Sequence, residues 1–95
     1  MIRHIVFFTA KSPEHLDTIL FGLKRLETIP DSIRVEIRRN MNKDPISPDG
    51  PDVVVYGEFE DEAQLAAYKA HPLYQESIDI VRPLRDMRIA ADFIS

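Results

Sequence analysis

The groups in this sequence best suited to acid–base chemistry or ligand contact are two histidines and two tyrosines. His4 stands among apolar residues of a short extended stretch, where an imidazole can titrate near neutral pH or donate to a bound ligand. Tyr68 lies late in an apolar helical stretch, and His71 and Tyr74 follow it closely. A phenol at such a position can orient a ligand or donate a proton.

Each of these residues also has a purely structural interpretation. His4 is equally well read as a partly buried histidine satisfied by one carbonyl, and Tyr68 as a core residue with one hydrogen bond. His71 precedes Pro72 at a helix break, and we favour a capping role there, with its side chain donating to an orphan carbonyl, over catalysis.

Composition excludes several classes of function. With no cysteine and only three scattered histidines, we expect neither a metal site nor a cofactor. Because 16 acidic residues outnumber 12 Lys and Arg, the net charge of -4 argues against a nucleic-acid partner. No apolar run approaches the roughly 18 residues of a membrane span, so we expect no membrane partner and a cytoplasmic location.

In two stretches, residues 2–9 and 53–60, both alternations (both sets of every second residue) carry apolar side chains. This pattern is typical of strands buried on both faces. One alternation carries Ile2, Val6, Phe8, Val53, Val55 and Phe59. The other carries Ile5, Phe7, Val54 and Tyr56. We therefore predict that these two strands lie in the middle of a sheet.

Two further stretches have the pattern of edge strands. Residues 33–38 alternate isoleucine and valine with charged residues, which predicts one buried and one solvated face. After Pro83, a second alternation predicts the last strand. Its apolar members are Met87, Ile89, Ala91 and Phe93, and they alternate with Arg88, Ala90 and Asp92.

Helical spacing and capping signals place two helices between these strands. Ser12-Pro13-Glu14 predicts an N-cap and first turn of a helix that runs to about Thr28. A capping-box variant at Asp61 begins a second helix, which the His71-Pro72 step breaks or kinks, and a further helical stretch reaches about Val81.

The resulting order, β-α-β-β-α-β, predicts one α+β domain over residues 1–95 with a ferredoxin-like antiparallel sheet. Both helical segments must then lie on the same side of that sheet, so the apolar residues on its other side need a cover. Burying four such side chains yields roughly 6 to 12 kcal/mol before association entropy. We therefore predict a homodimer that pairs through the sheet face.

Four segments of the chain carry a family likeness: Ile2-Arg3-His4-Ile5-Val6-Phe7-Phe8, Ile29-Pro30, Phe59-Glu60 leading to Tyr68-Lys69-Ala70-His71-Pro72, and Ala91-Asp92-Phe93. Together they resemble the stress-responsive A/B barrel family, often called Dabb, over nearly the whole chain. The resemblance implies a ferredoxin-like subunit that pairs sheet against sheet into a dimeric α+β barrel.

The resemblance implies less about chemistry. One subgroup of the family consists of cofactor-free polyketide cyclases, which are similar to this chain at His4 and Tyr68, and it implies that these two residues line a cavity between sheet and helices. The cyclases carry His-Pro-x-His with the last histidine as general base, whereas this chain has Tyr74 there. A tyrosine of ordinary pKa, near ~10, is a poor base at neutral pH. A tyrosine expected on the first helix is Gly22 here.

These observations predict a Dabb-type protein of unassigned biochemical activity that holds a small apolar or aromatic ligand. His4, Tyr68, His71 and Tyr74 are the candidate ligand contacts, with Tyr74 closing the mouth of the cavity. The alternative is a cofactor-independent enzyme of the polyketide cyclase, isomerase or monooxygenase-like type. In that hypothesis His4 and Tyr68 are the catalytic acid/base or orienting groups, and the sequence leaves the choice open.

Overall fold

Four strands pair into one antiparallel sheet, and all helices pack against the same side of it. The computed structural model describes residues 1–95. The strands are β1 (Ile2–Ala10), β2 (Arg34–Arg39), β3 (Val53–Phe59) and β4 (Arg85–Ile94). The helices are α1 (Leu16–Lys24), α2 (Glu62–Ala70) and α3 (Pro72–Val81), and 3-10 turns at Pro13–His15 and Arg25–Thr28 extend α1 at both ends.

The sheet order is β2-β3-β1-β4, which places the two strands that are apolar on both alternations in the centre. Ile2 of β1 lies opposite Phe59 of β3 on one side and opposite Ile94 of β4 on the other. The predicted ferredoxin-like α+β fold is therefore confirmed. None of the helices has the length and hydrophobicity needed to cross a bilayer.

The core lies between the sheet and the helices. The first alternation of β1 and β3 supplies its sheet side, with Ile2, Val6, Phe8, Val53, Val55 and Phe59 all buried. Ile19 and Leu23 of α1 cover these residues and are themselves almost fully excluded from solvent. The apolar residues of α1, which recur at helical spacing, and those of β1, which recur at every second position, thus pack into a single apolar layer.

The start of the first helical segment differs from the prediction. Ser12 occupies the N-cap position, but its side chain makes no capping hydrogen bond, and the chain enters α1 through a 3-10 turn in which the His15 N–H donates to the Ser12 carbonyl at 3.0 Å. Because Pro13 has no N–H, the first turn contains one fewer backbone donor that needs a hydrogen-bond partner.

Gly22 allows α1 and α3 to approach each other closely. A Cβ at this position would lie 2.8 Å from Cγ2 of Ile80 and 2.9 Å from Cγ2 of Val81. Such distances are below van der Waals contact, so a larger residue fits here only if the side chains of Ile80 and Val81, or α3 itself, shift. The space that a larger residue would occupy on α1 is filled by α3.

The chain breaks between α2 and α3, as predicted. Asp61 accepts a hydrogen bond from the Gln64 N–H at 2.8 Å, and the Gln64 side chain accepts from the Glu60 N–H at 2.7 Å, which is the capping-box variant. His71 is extended, with φ -66° and ψ 139°, and Pro72 begins α3 immediately after it.

The last strand turns its apolar alternation away from the helices. By register, Ile89 lies beside Phe7 and Phe93 beside Arg3, on the side of the sheet that no helix covers. We call this side the outer face; its apolar residues are Ile5, Phe7, Val54, Tyr56, Ile89 and Phe93. The polar alternation of β4, which includes Arg88 and Asp92, faces the helix side instead.

Candidate functional site

A cavity of about 310 Å³ lies between the sheet and α3, at the side where β4 forms the edge. Most of its wall is apolar and comes from Val6, Phe8, Leu23, Leu26, Val55, Ile78 and Val81. The polar groups that reach it are His4, Tyr68, Tyr74, Ser77, Arg82, Arg85 and Arg88. An apolar pocket with few polar groups is the usual form of a small-molecule site.

His4 projects from the centre of β1 into this cavity and is only 2% exposed. Its Nδ1 is hydrogen-bonded to Oδ1 of Asp92, the residue directly opposite on β4. The partner is therefore a carboxylate, in place of the backbone carbonyl considered from the sequence. An ionised carboxylate only accepts, so Nδ1 carries the proton and Nε2 is left as an acceptor for a ligand.

The surroundings of His4 favour its neutral form. Burial lowers the pKa of the imidazole below its ordinary value of 6.5, and the charges of Lys69 and Arg88 act in the same direction. The hydrogen bond and negative charge of Asp92 raise the pKa but do not outweigh burial. At neutral pH the side chain is thus an uncharged imidazole of fixed orientation.

Tyr68 is completely buried, and its hydroxyl has no hydrogen-bond partner in the protein. Its ring packs against Phe59 at 4.9 Å and against Tyr74 at 5.3 Å between centroids, and lies 6.4 Å from the His4 ring. Burial raises the pKa of the phenol far above its ordinary value, so it stays protonated. Tyr68 therefore presents a donor without an acceptor at the cavity wall.

The other two predicted contacts have different positions. Tyr74 lines the cavity, half-buried, and packs edge-on against Tyr68. His71 does not line it. The His71 Nδ1 accepts from the Leu73 N–H at 3.1 Å and so caps the start of α3. Capping was the favoured interpretation, but the group acts as an acceptor at a helix N-terminus and does not donate to an orphan carbonyl.

Sequence reasoning missed Asp92, Ser77 and the three arginines of the cavity. Asp92 and Arg88 belong to the polar alternation of β4, which the strand pattern alone suggests is solvated. One signal was available: the last strand alternates apolar and polar residues, and no helix remains to cover the apolar set. Three His, Asp or Glu side chains do not converge anywhere in the structure to form a metal-binding group.

A comparison with the sequence models of protein families identifies the family of this chain. Residues 2–95 match the sequence model of the stress responsive A/B barrel domain. The chain belongs to the Dabb family. The resemblance first seen in short segments thus extends over almost the entire sequence.

Solved structures share the fold of this Dabb protein. A Dabb family protein from Mesorhizobium loti is 25% identical, with a TM-score of 0.76 over 99% of this chain and 95% of its own. A dimeric ferredoxin-like protein of unknown function from Thermobifida fusca is 23% identical, with a TM-score of 0.80 over 97% and 88%.

A protein from Nitrosomonas europaea, provisionally described as an antibiotic biosynthesis monooxygenase, is 17% identical with a TM-score of 0.80 over 100% and 98% of the two chains. At this identity the likeness concerns the fold alone. The comparison with curated protein sequences found no significant match.

Proposed function

We propose that this Dabb protein is a homodimer in which each subunit binds a small, mainly apolar or aromatic molecule in the cavity between the sheet and α3. The observation that carries the proposal is the buried Tyr68 hydroxyl without a partner at the wall of that cavity. A buried polar group without a hydrogen bond costs about 1 to 3 kcal/mol. A ligand that accepts from this hydroxyl removes that cost.

The dimer is supported by the outer face. Ile89 and Phe93 are 53% and 48% exposed there although they lie in the middle and near the end of a well-paired strand. A polar cluster borders the apolar residues, in which Glu58 accepts from Tyr56 at 2.6 Å and from Arg3 at 2.8 Å. The Thermobifida fusca relative of the same fold is described as dimeric. A second copy placing its own outer face against this one would cover the apolar residues.

Cavity size and lining indicate the class of ligand. At about 30 Å³ for each water-sized group, the volume of 310 Å³ accommodates roughly ten non-hydrogen atoms. The apolar wall favours a hydrocarbon or aromatic body, and His4 Nε2 and the Tyr68 hydroxyl provide one acceptor and one donor for its polar groups.

A thermal-shift screen with apolar carboxylates and phenols tests the proposal. A compound present at ten times its dissociation constant stabilises the protein by about 1.4 kcal/mol, which raises the Tm by about 6 to 11 °C for a domain of this size. Ser77 is buried on α3 at the cavity wall, so Ser77→Leu fills part of the space. We expect this variant to lose the shift.

The matched control is Ser47→Leu, which makes the same change in an exposed loop away from the cavity. It should keep the full ligand-induced shift. If no compound of the screen changes the Tm of the parent protein, or if Ser77→Leu responds like the parent, the cavity is not a ligand site.

A second candidate function, proton-transfer catalysis without a cofactor, is favoured by the His4–Asp92 pair. A neutral Nε2 held in a fixed orientation can accept a proton from an acidic C–H of a bound carbonyl compound. The Tyr68 hydroxyl can donate a hydrogen bond to the carbonyl oxygen as negative charge develops on it. Tyr74 is not needed as a base in this arrangement.

The protonation state of His4 tests this candidate. In an NMR titration we expect the imidazole to protonate with a midpoint below 6.5, because burial disfavours the cation. Asp92→Asn should lower the midpoint further, since the carboxylate favours the charged form. A His4→Gln sample assigns the signal. A midpoint well above 7 would leave mainly the cation at neutral pH and would exclude His4 as the base.

A further inference from the structure

One end of the cavity carries positive charge that nothing in the protein neutralises. Arg82 follows α3, and Arg85 and Arg88 belong to β4; all three line the cavity. No aspartate or glutamate lines it with them, and none of the three forms an ion pair. The three arginines are unpaired although the chain carries 16 acidic residues.

Four of the five other arginines of the protein are paired with carboxylates, whereas Arg25 donates to the backbone carbonyls of Phe21 and Gly22. Carboxylates contact Arg3, Arg34, Arg38 and Arg39 through ion pairs with Glu58, Glu36, Glu27 and Asp17. The acidic residues are therefore numerous enough to neutralise arginines elsewhere on the surface. Their absence from the cavity leaves its mouth attractive to an anion.

Arg88 and Tyr68 line the same cavity. Arg88 projects to the helix side from β4, opposite Phe8, and both residues contribute to the cavity wall. The positive charge of Arg88 lowers the pKa of the His4 imidazole, as burial does. It also acts to lower the pKa of the Tyr68 phenol, where burial acts more strongly in the opposite direction. The wall of one cavity thus carries both a guanidinium and an unpartnered hydroxyl donor.

These groups are all donors, and together they select the chemistry of the ligand. A guanidinium forms charge-assisted hydrogen bonds with the two oxygens of a carboxylate in a planar, bidentate arrangement. The Tyr68 hydroxyl can donate to one of the same oxygens. Because most of the wall is apolar, a ligand that fits has one anionic end and a hydrocarbon body.

We propose that the cavity binds an apolar monocarboxylic acid of roughly ten non-hydrogen atoms, with Arg88 and the Tyr68 hydroxyl holding its carboxylate. This inference rests on the proposed function, since it requires the cavity to be a ligand site. Arg82 and Arg85 add positive charge at the mouth, and the body of the acid lies against Val6, Val55 and Val81.

The test compares octanoate with octanamide, which has the same number of non-hydrogen atoms and no charge. In calorimetric titrations we expect the parent protein to bind octanoate about 10- to 100-fold more tightly than the amide. Arg88→Gln should reduce octanoate affinity to the level of the amide and leave amide affinity unchanged. Because Arg88 is exposed, this variant keeps its fold, and retained amide binding verifies that.

The control for net charge is Lys43→Gln, which removes one positive charge from an exposed loop. It should keep the preference for the acid. Equal affinity for acid and amide in the parent, or an equal loss of both in Arg88→Gln, overturns the carboxylate inference while the proposed ligand site stands. If neither compound binds the parent, the carboxylate inference fails, and the thermal-shift screen with phenols decides separately whether the cavity is a ligand site.

Discussion

A chain carrying Ile89→Glu and Phe93→Glu is expected to sediment as a single 11.0 kDa subunit, whereas the parent sediments at twice that mass. Both residues lie on the outer face, where the register of β4 places them beside β1 and away from every helix. Analytical ultracentrifugation at micromolar concentration measures the difference directly.

The expected size of this effect follows from burial. Each large apolar side chain that passes from water into an interface contributes about 1.5 to 3 kcal/mol. The variant changes two side chains on each of two subunits, and each of the four is about half exposed in the free subunit, so it gains about half of that energy on association. Their loss weakens association by about 3 to 6 kcal/mol, or roughly two to four orders of magnitude in the dissociation constant. The subunit itself tolerates both changes, because the two side chains are about half exposed within it.

A control introduces one glutamate in place of an exposed phenylalanine on the helix side of the molecule. Phe21 is 64% exposed on α1, so Phe21→Glu should leave the dimer intact. Circular dichroism confirms that the double variant remains folded. A parent protein that is monomeric at micromolar concentration, or a double variant that remains dimeric, would show that the outer face is not the contact between subunits.

The sheet could be predicted because apolar alternation is a strong local signal. β1 and β3 are apolar on both alternations, a pattern typical of central strands, and the structure places both in the middle of the sheet. The break at His71-Pro72 was equally clear, since proline cannot continue α2. Ser12 lies at the predicted N-cap position, but its side chain makes no capping hydrogen bond. Residue type alone does not determine where the hydroxyl points.

The candidate site was only partly predictable. His4 and Tyr68 stood out as polar groups in apolar surroundings, and the structure brings them to one cavity. Asp92 and Arg88 did not stand out in the sequence, because their role depends on which side of β4 faces the helices. That choice is made by tertiary packing, which turns the apolar side of the strand outward and leaves the polar side to line the cavity.

The Tyr68 side chain contains two parts with opposite consequences for stability. Its ring fills the core between Phe59 and Tyr74, whereas its hydroxyl is buried without a partner. Packing of the ring stabilises the fold, and burial of the lone hydroxyl opposes it. A ligand that accepts a hydrogen bond from this hydroxyl would remove the destabilising part.

Substitutions at this one position separate the two parts. Tyr68→Ala should lower the free energy of unfolding by about 3 to 5 kcal/mol, because it empties the space of a fully buried ring. Tyr68→Phe keeps the ring and removes the unpaired hydroxyl, so it should raise the free energy of unfolding by about 1 kcal/mol. Urea unfolding of both variants without ligand measures these changes, with Tyr74→Phe as a control within about 0.5 kcal/mol of the parent. A less stable Tyr68→Phe protein would mean that the hydroxyl is satisfied in the empty cavity, and its burial would then give no reason to expect a ligand.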